Sequence, residues 1–256
     1  MQISIITVAL NAASTIRDTI DSVLSQSWTD LEYIIIDGGS TDGSREIIES
    51  YGARIARFIS EPDRGMYDAM NKGIGLASGD VVGILNADDV YTGNNVLEKV
   101  AKALADHETG VLFADVHFVK LPDLNKPIRY ISGRYFKPWM LRFGFMPPHP
   151  SCFIQRSLFG SLGLYKTDYE IAADYELIIR FIYTHRISFQ YLRLDMVSMR
   201  AGGRSNSSYR SNLLLNREIV RACSENRIYT NLLILMMKYL VKVFQFAPRY
   251  RNNSAS

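Results

Sequence analysis

Two adjacent carboxylates, Asp88 and Asp89, follow the apolar run Val81-Val82-Gly83-Ile84-Leu85 and the dipeptide Asn86-Ala87. Carboxylates paired at the end of a buried strand repel each other and lose hydration, so something must offset that cost. A divalent cation does so: Mg²⁺ or Mn²⁺ held by one or two carboxylates and a substrate diphosphate is a common arrangement. The plain alternative is a helix N-cap, and an isolated Asp-Asp is better read that way. Here the pair is not isolated. Two other apolar runs also carry polar side chains at their ends, at Thr7 and at Asp37. Ligands of open parallel sheets sit beyond the carboxyl ends of strands, where helix N-termini also point. Three such strand ends imply a ligand crevice.

The elements that must position these residues are legible as alternating short apolar runs and helical patterns, which predict βαβ units. Strands are expected at 3–9, 33–36, about 55–60 and 81–85. Between them, Ser14 or Thr15 caps a helix carrying Ile16, Ile20, Val23 and Leu24 on one face, with Asp18 completing the cap. Further helices carry Ile47, Ile48 and Tyr51, and span roughly 66–77. Beyond residues 111–120 the pattern changes. A turn-rich connection is expected at 121–127, and Pro147, Pro148 and Pro150 crowd around His149. The middle of the chain reads as antiparallel strands and loops shaping a second subsite. A helix is expected near 174–185, then short strands at 189–192 and 196–199, and two final helices at roughly 209–225 and 230–246.

Composition bounds the class. The chain has 256 residues, 47% hydrophobic and 21% charged, which excludes disorder and collagen-like repeats. Two cysteines and four scattered histidines supply neither a disulfide framework nor a Cys- or His-based zinc site. The start, Met1-Gln2-Ile3-Ser4, has no basic n-region, so a cytoplasmic protein is expected. The net charge of +3 conceals an asymmetry: residues 200–256 hold 10 basic and 2 acidic side chains. Such a tail implies an anionic partner. No Gly-Lys-Ser/Thr follows a glycine loop, which excludes a P-loop. Gly73-Ile74-Gly75-Leu76-Ala77-Ser78-Gly79 has one residue too many for a dinucleotide fingerprint and precedes a strand.

Four segments in order resemble the family 2 glycosyltransferases, enzymes of the GT-A fold. They are Thr7-Val8-Ala9-Leu10-Asn11, the stretch Ile36-Asp37-Gly38-Gly39-Ser40-Thr41-Asp42-Gly43-Ser44, residues 60–73 (Ser-Glu-Pro-Asp-Arg-Gly-Met-Tyr-Asp-Ala-Met-Asn-Lys-Gly) and Leu85-Asn86-Ala87-Asp88-Asp89. The resemblance implies an α/β fold with a Rossmann-like, mostly parallel central sheet, flanking helices and a C-terminal helical extension. Its expected organisation is a catalytic domain over 1–205, divided into a nucleotide-sugar half (1–120) and an acceptor half (121–205), followed by basic amphipathic helices over 206–256.

By the same resemblance, Thr7, Val8 and Asn11 line the base and ribose pocket, and Asp37 accepts a hydrogen bond from base or ribose. Asp63 and Lys72 lie where the family contacts base and phosphates. Asp88 matches the metal-binding second acid of a D-x-D motif, with Asn86 and Ala87 completing that contact to the nucleotide sugar. Asp174 matches the catalytic aspartate, and His149, Arg200 and Arg204 match phosphate or acceptor contacts. Two departures stand out: the first acid of D-x-D is Asn86, and the acid that usually precedes the catalytic Asp is Ala173. The base role therefore falls to Asp174, with Glu176 and Asp168 as fallbacks. A general base must be ionised, and the positive end of a helix dipole at Asp174 would favour that.

The implied activity is metal-dependent, inverting transfer of one sugar from a nucleotide-diphosphate sugar, UDP-linked foremost, to a saccharide or lipid-linked saccharide of cell-surface polysaccharide synthesis. The alternative class is a nucleotide-sugar-binding or nucleotidyl-transfer protein, but Asn11-Ala12-Ala13-Ser14-Thr15 is not the Gly- and Arg/Lys-bearing loop that nucleotidyl transfer wants. Nucleic acid is not an expected partner, since no aromatic-basic stacking platform accompanies the tail. In the last helix, Leu232, Leu235, Met236, Tyr239, Val243 and Phe246 share one face, and Lys238, Lys242, Gln245 and Arg249 the other. That pattern is too short and too charged to span a bilayer. It fits peripheral binding to an anionic, cytoplasmic membrane face, or packing on protein.

Overall fold

The computed structural model describes residues 1–105, 108–120, 123–201 and 209–242. Strands β1 (Ile3–Ala9), β2 (Leu31–Asp37), β3 (Arg57–Ser60) and β4 (Val81–Ile84) pair in parallel. Helices α1 (Ile16–Leu24), α2 (Ser44–Glu49) and α3 (Met66–Leu76) connect them. Every residue of β1 is buried because helices cover both sheet faces. Its alternation divides the core in two: Ile3, Ile5 and Ala9 join α1, while Ile6 and Val8 join α3. Ile16, Ile20 and Val23 of α1, spaced i, i+4 and i+7, are fully buried. Helix α3 approaches β1 so closely that a Cβ on Gly73 would lie 2.4 Å from Ile6 Cγ2.

The second half adds β5 (Val90–Tyr91), α4 (Val96–Ala103), β6 (Val111–Lys120), β7 (Asp123–Ile131), β8 (Phe153–Gln155), α5 (Arg156–Leu162), α6 (Ala173–Ile178) and β9 (Phe189–Arg200). The sheet order is β3-β2-β1-β4-β8-β6-β9-β5, with β7 paired to β6. It is parallel through β4. Beyond that β8 runs antiparallel to both β4 and β6, and β9 is parallel to β6.

Several local expectations change. Much of the turn expected at 121–127 belongs to β7, where Pro127 sits at a register shift against Val119. An edge strand with a bulge tolerates proline because no ladder donor is needed there. The two short strands expected after residue 188 are one, β9, whose register against β6 shifts around Asp115. The helix near 174–185 is α6 followed by a π-helical turn over Ile179–Thr184. No side chain caps α1: the Thr15 hydroxyl donates to the Ala12 carbonyl at 3.3 Å, and Asp18 is taken by Arg200.

Two helices, α7 (Tyr209–Glu225) and α8 (Leu232–Lys242), end the described chain. Ile219, Ala222 and Cys223 of α7 join the core cluster that contains Ile178 and Phe181, as does Leu235 of α8. The expected single stripe is thereby split. Leu235 is buried, whereas Leu232, Leu233, Met236 and Met237 are exposed, Leu233 by 81%. Six consecutive apolar residues, Leu232 to Met237, surround the helix, so packing one face leaves the other in solvent. No helix among the described residues is long and apolar enough to cross a membrane. Gly202, Gly203, Arg204 and Ser205 lie outside the described residues, as do Val243, Gln245, Phe246 and Arg249.

Candidate active site

The carboxyl ends of β1, β2 and β4 lie side by side. Thr7 does not face the crevice with its hydroxyl. It is fully buried, and its Oγ1 sits 3.1 Å from the Tyr33 hydroxyl inside the core. Val8 likewise packs in the core. Asn11 adopts φ +52°, a left-handed conformation that Asn tolerates well. From there its amide N–H donates to Ser40 Oγ (2.7 Å) and its Oδ1 accepts from Thr41 N–H (3.0 Å), tying the loop after β1 to the loop after β2.

Asp37 is fully buried and organises that second loop. Its Oδ2 accepts from Gly39 N (3.2 Å), Ser40 N (3.0 Å) and Ser60 Oγ (2.7 Å), and its Oδ1 accepts from the Ser40 hydroxyl. Asp63 leans over Gly38, where a Cβ would fall 2.5 Å from Asp63 Oδ2; only glycine permits that approach. Asp63 Oδ1 also accepts from Gly65 N–H at 2.8 Å, holding the turn into α3. Lys72 is ion-paired to Glu61 (2.8 Å) and Asp68 (3.6 Å), chiefly through the Glu61 hydrogen bond that raises its pKa.

Beyond β4, Asn86 Nδ2 donates to Asp89 Oδ2 at 3.0 Å, while Asn86 Oδ1 is buried with no partner. Asp88 is half-buried, and burial raises its pKa. Arg200, at the end of β9, takes the Asp88 main-chain carbonyl (3.1 Å) and the Asp18 carboxylate, so its charge reaches the turn without pairing to the Asp88 side chain. Asp89 lies deeper, its pKa pushed up to about 8 by burial and then by the Asp88 charge. Among the described residues no cluster of three or more His, Cys, Asp or Glu could hold a metal ion alone. An orphaned amide oxygen two residues from an unpaired carboxylate does fit a cation whose remaining ligands come from a substrate.

Asp174 lies in the first turn of α6 and its Oδ1 accepts from Tyr175 N–H at 2.8 Å. Burial raises its pKa, against the opposing effects of His149, this N–H and the Tyr67 hydroxyl. Burial thus works against the ionised form that the helix start favours. His149 Nε2 lies 2.8 Å from the Tyr165 hydroxyl, and burial lowers its pKa, favouring a neutral ring. The fallback acids are committed elsewhere. Glu176 is fully buried against Arg180 (3.0 Å) and Lys166 (3.0 Å), and Asp168 pairs with Arg221.

Three contributors escaped sequence reasoning. Tyr67 and Asn71 lie one turn apart on α3, and that i, i+4 spacing inside the 60–73 segment was the available signal. Asn71 bridges the Tyr165 backbone in both directions, donating to its carbonyl (2.8 Å) and accepting from its N–H (2.9 Å). Glu218 of α7 accepts the N–H groups of Glu170 (2.8 Å), Ile171 (2.9 Å) and Ala172 (2.8 Å), fixing the turn that leads into α6. No local pattern announces that contact, since 46 residues separate Glu218 from Ala172. A cleft of about 440 Å³ runs between the start of α3, residues 167–171 and the start of α7, with Arg64, Tyr67, Ile171 and Arg210 among its walls.

The fold and this crevice define the GT-A class of glycosyltransferases, which solved structures support. The chain superposes on Staphylococcus aureus TarS 1–349 in complex with UDP-GlcNAc with a TM-score of 0.65 at 16% identity, covering 87% of this chain and 66% of that one. It spans 44% of the longer TarS chain. A mannosyltransferase from Pyrobaculum calidifontis, solved with GDP-Man and Mn²⁺, matches with a TM-score of 0.62 at 17% identity, over 96% of this chain and 70% of that one. The profile of glycosyl transferase family 2 matches residues 4–162, and the chain belongs to that family. It is thus a glycosyltransferase. In sequence it is 28% identical over 250 residues to a PGL/p-HBAD biosynthesis glycosyltransferase of Mycobacterium tuberculosis, covering 95% of this chain and 93% of the relative. It is 34% identical over 182 residues to an uncharacterized glycosyltransferase of the same species, over 70% and 68% of the two chains.

Proposed function

We propose that this glycosyltransferase moves one sugar from a nucleotide-diphosphate sugar, UDP-linked foremost, to a saccharide or lipid-linked saccharide acceptor, with inversion at the anomeric carbon and with help from Mg²⁺ or Mn²⁺. The observation that carries the reading is the half-buried Asp88 carboxylate beyond β4, two residues after Asn86, whose buried Oδ1 has no hydrogen-bond partner. Asn11 and Asp63 frame the base and ribose, with Thr7, Val8 and Asp37 as the scaffold beneath them. Lys72 and Arg200 place positive charge near the diphosphate. A cation held by Asp88, with Asn86 and Ala87 alongside, would neutralise charge developing on the leaving diphosphate. Complexes of relatives with UDP-GlcNAc, and with GDP-Man and Mn²⁺, support donor and metal use of this kind.

The acceptor enters along the cleft walled by Tyr67 and Ile171, and the Tyr67 hydroxyl lies 3.4 Å from Asp174 Oδ1. Asp174 takes the proton of the acceptor hydroxyl as its oxygen bonds to the anomeric carbon. The bond from that carbon to the diphosphate breaks, and its electron pair leaves with the nucleotide. His149 supports this side of the site rather than the phosphates, being turned to Tyr165. The catalytic unit over 1–205 is completed by α7, whose Glu218 holds the turn into α6, and the remainder of 206–256 forms the basic extension. The exposed Leu232, Leu233, Met236 and Met237 of α8, together with the basic tail, support docking on an anionic membrane surface on the cytoplasmic side.

A panel of nucleotide sugars, tested for Mn²⁺-dependent protection against thermal unfolding, checks the donor assignment, because a ligand that binds only the native state raises its stability. NMR of the product anomer checks inversion. Retention of configuration, or protection that ignores Mn²⁺, would remove the corresponding part of the proposal. In Asp174→Asn, donor protection should persist while transfer falls by ~100-fold or more; wild-type transfer would dismiss Asp174 as the base.

A further inference from the structure

A general base at Asp174 faces a physical difficulty: it must be ionised to accept a proton, yet burial favours its neutral form. Four groups from three segments face it. His149 and Cys152 come from the proline-rich segment, Tyr67 from α3 and Tyr165 from the connection between α5 and α6. Burial raises the Cys152 and both tyrosine pKa values and lowers that of His149, so all four are neutral near pH 7. No fixed cation pairs with the Asp174 carboxylate among the described residues. Hydrogen-bond donors must do that work.

Tyr67 is placed to do it. Its hydroxyl donates to the Ile171 carbonyl at 2.5 Å and lies 3.4 Å from Asp174 Oδ1, so one proton is shared between the turn that leads into α6 and the carboxylate itself. Its ring stacks on Tyr165, with centroids 5.7 Å apart and planes 22° from parallel. Tyr165 is in turn fixed from three sides: its hydroxyl by His149 Nε2 (2.8 Å), its ring by the edge of that imidazole (5.8 Å, 74°), and its backbone by both arms of Asn71. Glu218 clamps the opposite side of the same turn. The aromatic pair leaves Tyr67 little rotational freedom, and a small rotation of its O–H carries the proton from Ile171 O toward Asp174 Oδ1.

We propose that Tyr67 is a positioning residue for Asp174, supplying from a ring clamped by Tyr165, His149 and Asn71 the hydroxyl that orients the carboxylate and favours its ionised form. The proposal rests on the reading of Asp174 as the base, and the two can fail separately. Tyr67→Phe keeps the stack and the fold while removing only the hydroxyl. A hydrogen bond to the charged form lowers a carboxyl pKa, so its loss must raise the Asp174 pKa.

The direct test is carboxyl-carbon NMR titration of the full chain, with the Asp174 resonance assigned by its disappearance in Asp174→Asn. In Tyr67→Phe the Asp174 titration should move to higher pH. Turnover of UDP-GlcNAc, followed by UDP release, should fall on the acid limb of its pH profile and recover as pH rises, moving that limb to higher pH, with UDP affinity in Mn²⁺ unchanged. A Tyr67 that merely stiffened the turn would lower the melting temperature and leave the titration where it was. An unmoved Asp174 titration in folded Tyr67→Phe overturns the proposal. Full turnover by Asp174→Asn, with the titration shift intact, would instead overturn the base assignment.

Discussion

Replacing Asp37 tests whether this buried carboxylate builds the nucleotide loop or reads the nucleotide. In Asp37→Ala the N–H groups of Gly39 and Ser40 and the hydroxyls of Ser40 and Ser60 all lose their acceptor. The hydroxyls can turn to other partners, but the two backbone N–H groups cannot. A hydrogen bond to a charged group is worth ~1.5–3 kcal/mol, and discounting for water that reaches this partly exposed turn leaves a loss of about 2–4 kcal/mol. At ~2–4 °C per kcal/mol for a chain of this size, the melting temperature should fall by about 10 °C.

Asp37→Asn behaves differently for a geometric reason. With its amide oxygen in the place of Oδ2, three of the four bonds persist. Its NH₂ then meets Ser40 Oγ, which can accept. Only the charge is lost, at a cost of about 1 kcal/mol. Differential scanning calorimetry and titration with UDP and Mn²⁺ read the two effects separately. Asn should bind UDP within about threefold of wild type, since the loop survives. The reasoning is refuted if Asn melts as early as Ala, or if Asn keeps full stability yet loses UDP binding, the signature of a direct contact.

Four further outcomes are expected. Asp88→Ala should abolish Mn²⁺-dependent UDP binding, measured by calorimetry, while its melting temperature without metal stays within a few degrees of wild type; retained binding would move the metal elsewhere. Glu218→Ala strips the acceptor from three backbone N–H groups at 2.8–2.9 Å and should lower stability by about 3 kcal/mol in urea unfolding, with transfer lost before donor binding. Because the folded Asp89 pKa of about 8 lies above the ordinary carboxylate value, the native state holds a proton that the unfolded chain releases, and stability without metal should decline as pH rises from about 4 to about 8. Asp89→Asn should therefore be increasingly more stable than wild type from pH 5 to pH 9, and a pH-independent difference would contradict the assignment. In sedimentation assays the chain should bind vesicles containing anionic lipid more than neutral ones, with about 1 kcal/mol for each basic group near the surface at low salt. Leu233→Glu on the exposed face of α8 should release it without unfolding; unaltered sedimentation would assign that face another role.

Much of the nucleotide half was legible in the sequence because its signals are local. Strands buried on both faces read as unbroken apolar runs, as in Ile34, Ile35 and Ile36, and helix α1 announces itself by three apolar residues on one face. Polar residues at the ends of those runs mark a crevice at the carboxyl edge, since parallel strands share one direction. The sequence also marked Asp174 as an acid opening a helix. What it could not set was the function of each side chain within those marks. Thr7 turns inward to Tyr33, Asp37 spends its oxygens on its own loop, and Arg200 takes a main-chain carbonyl rather than an open site. Those outcomes depend on which strand neighbours which, and on the order β4-β8-β6-β9 that brings the end of β9 back to the Asp88 turn. The surroundings of Asp174 are decided in the same way. Tyr67, His149, Tyr165 and Glu218 are far apart along the chain, and only packing places their donors and acceptors within hydrogen-bond reach of one turn. Burial there raises the Asp174 pKa, a change that no pattern of residue types contains, because desolvation is a property of the folded volume and not of the chain.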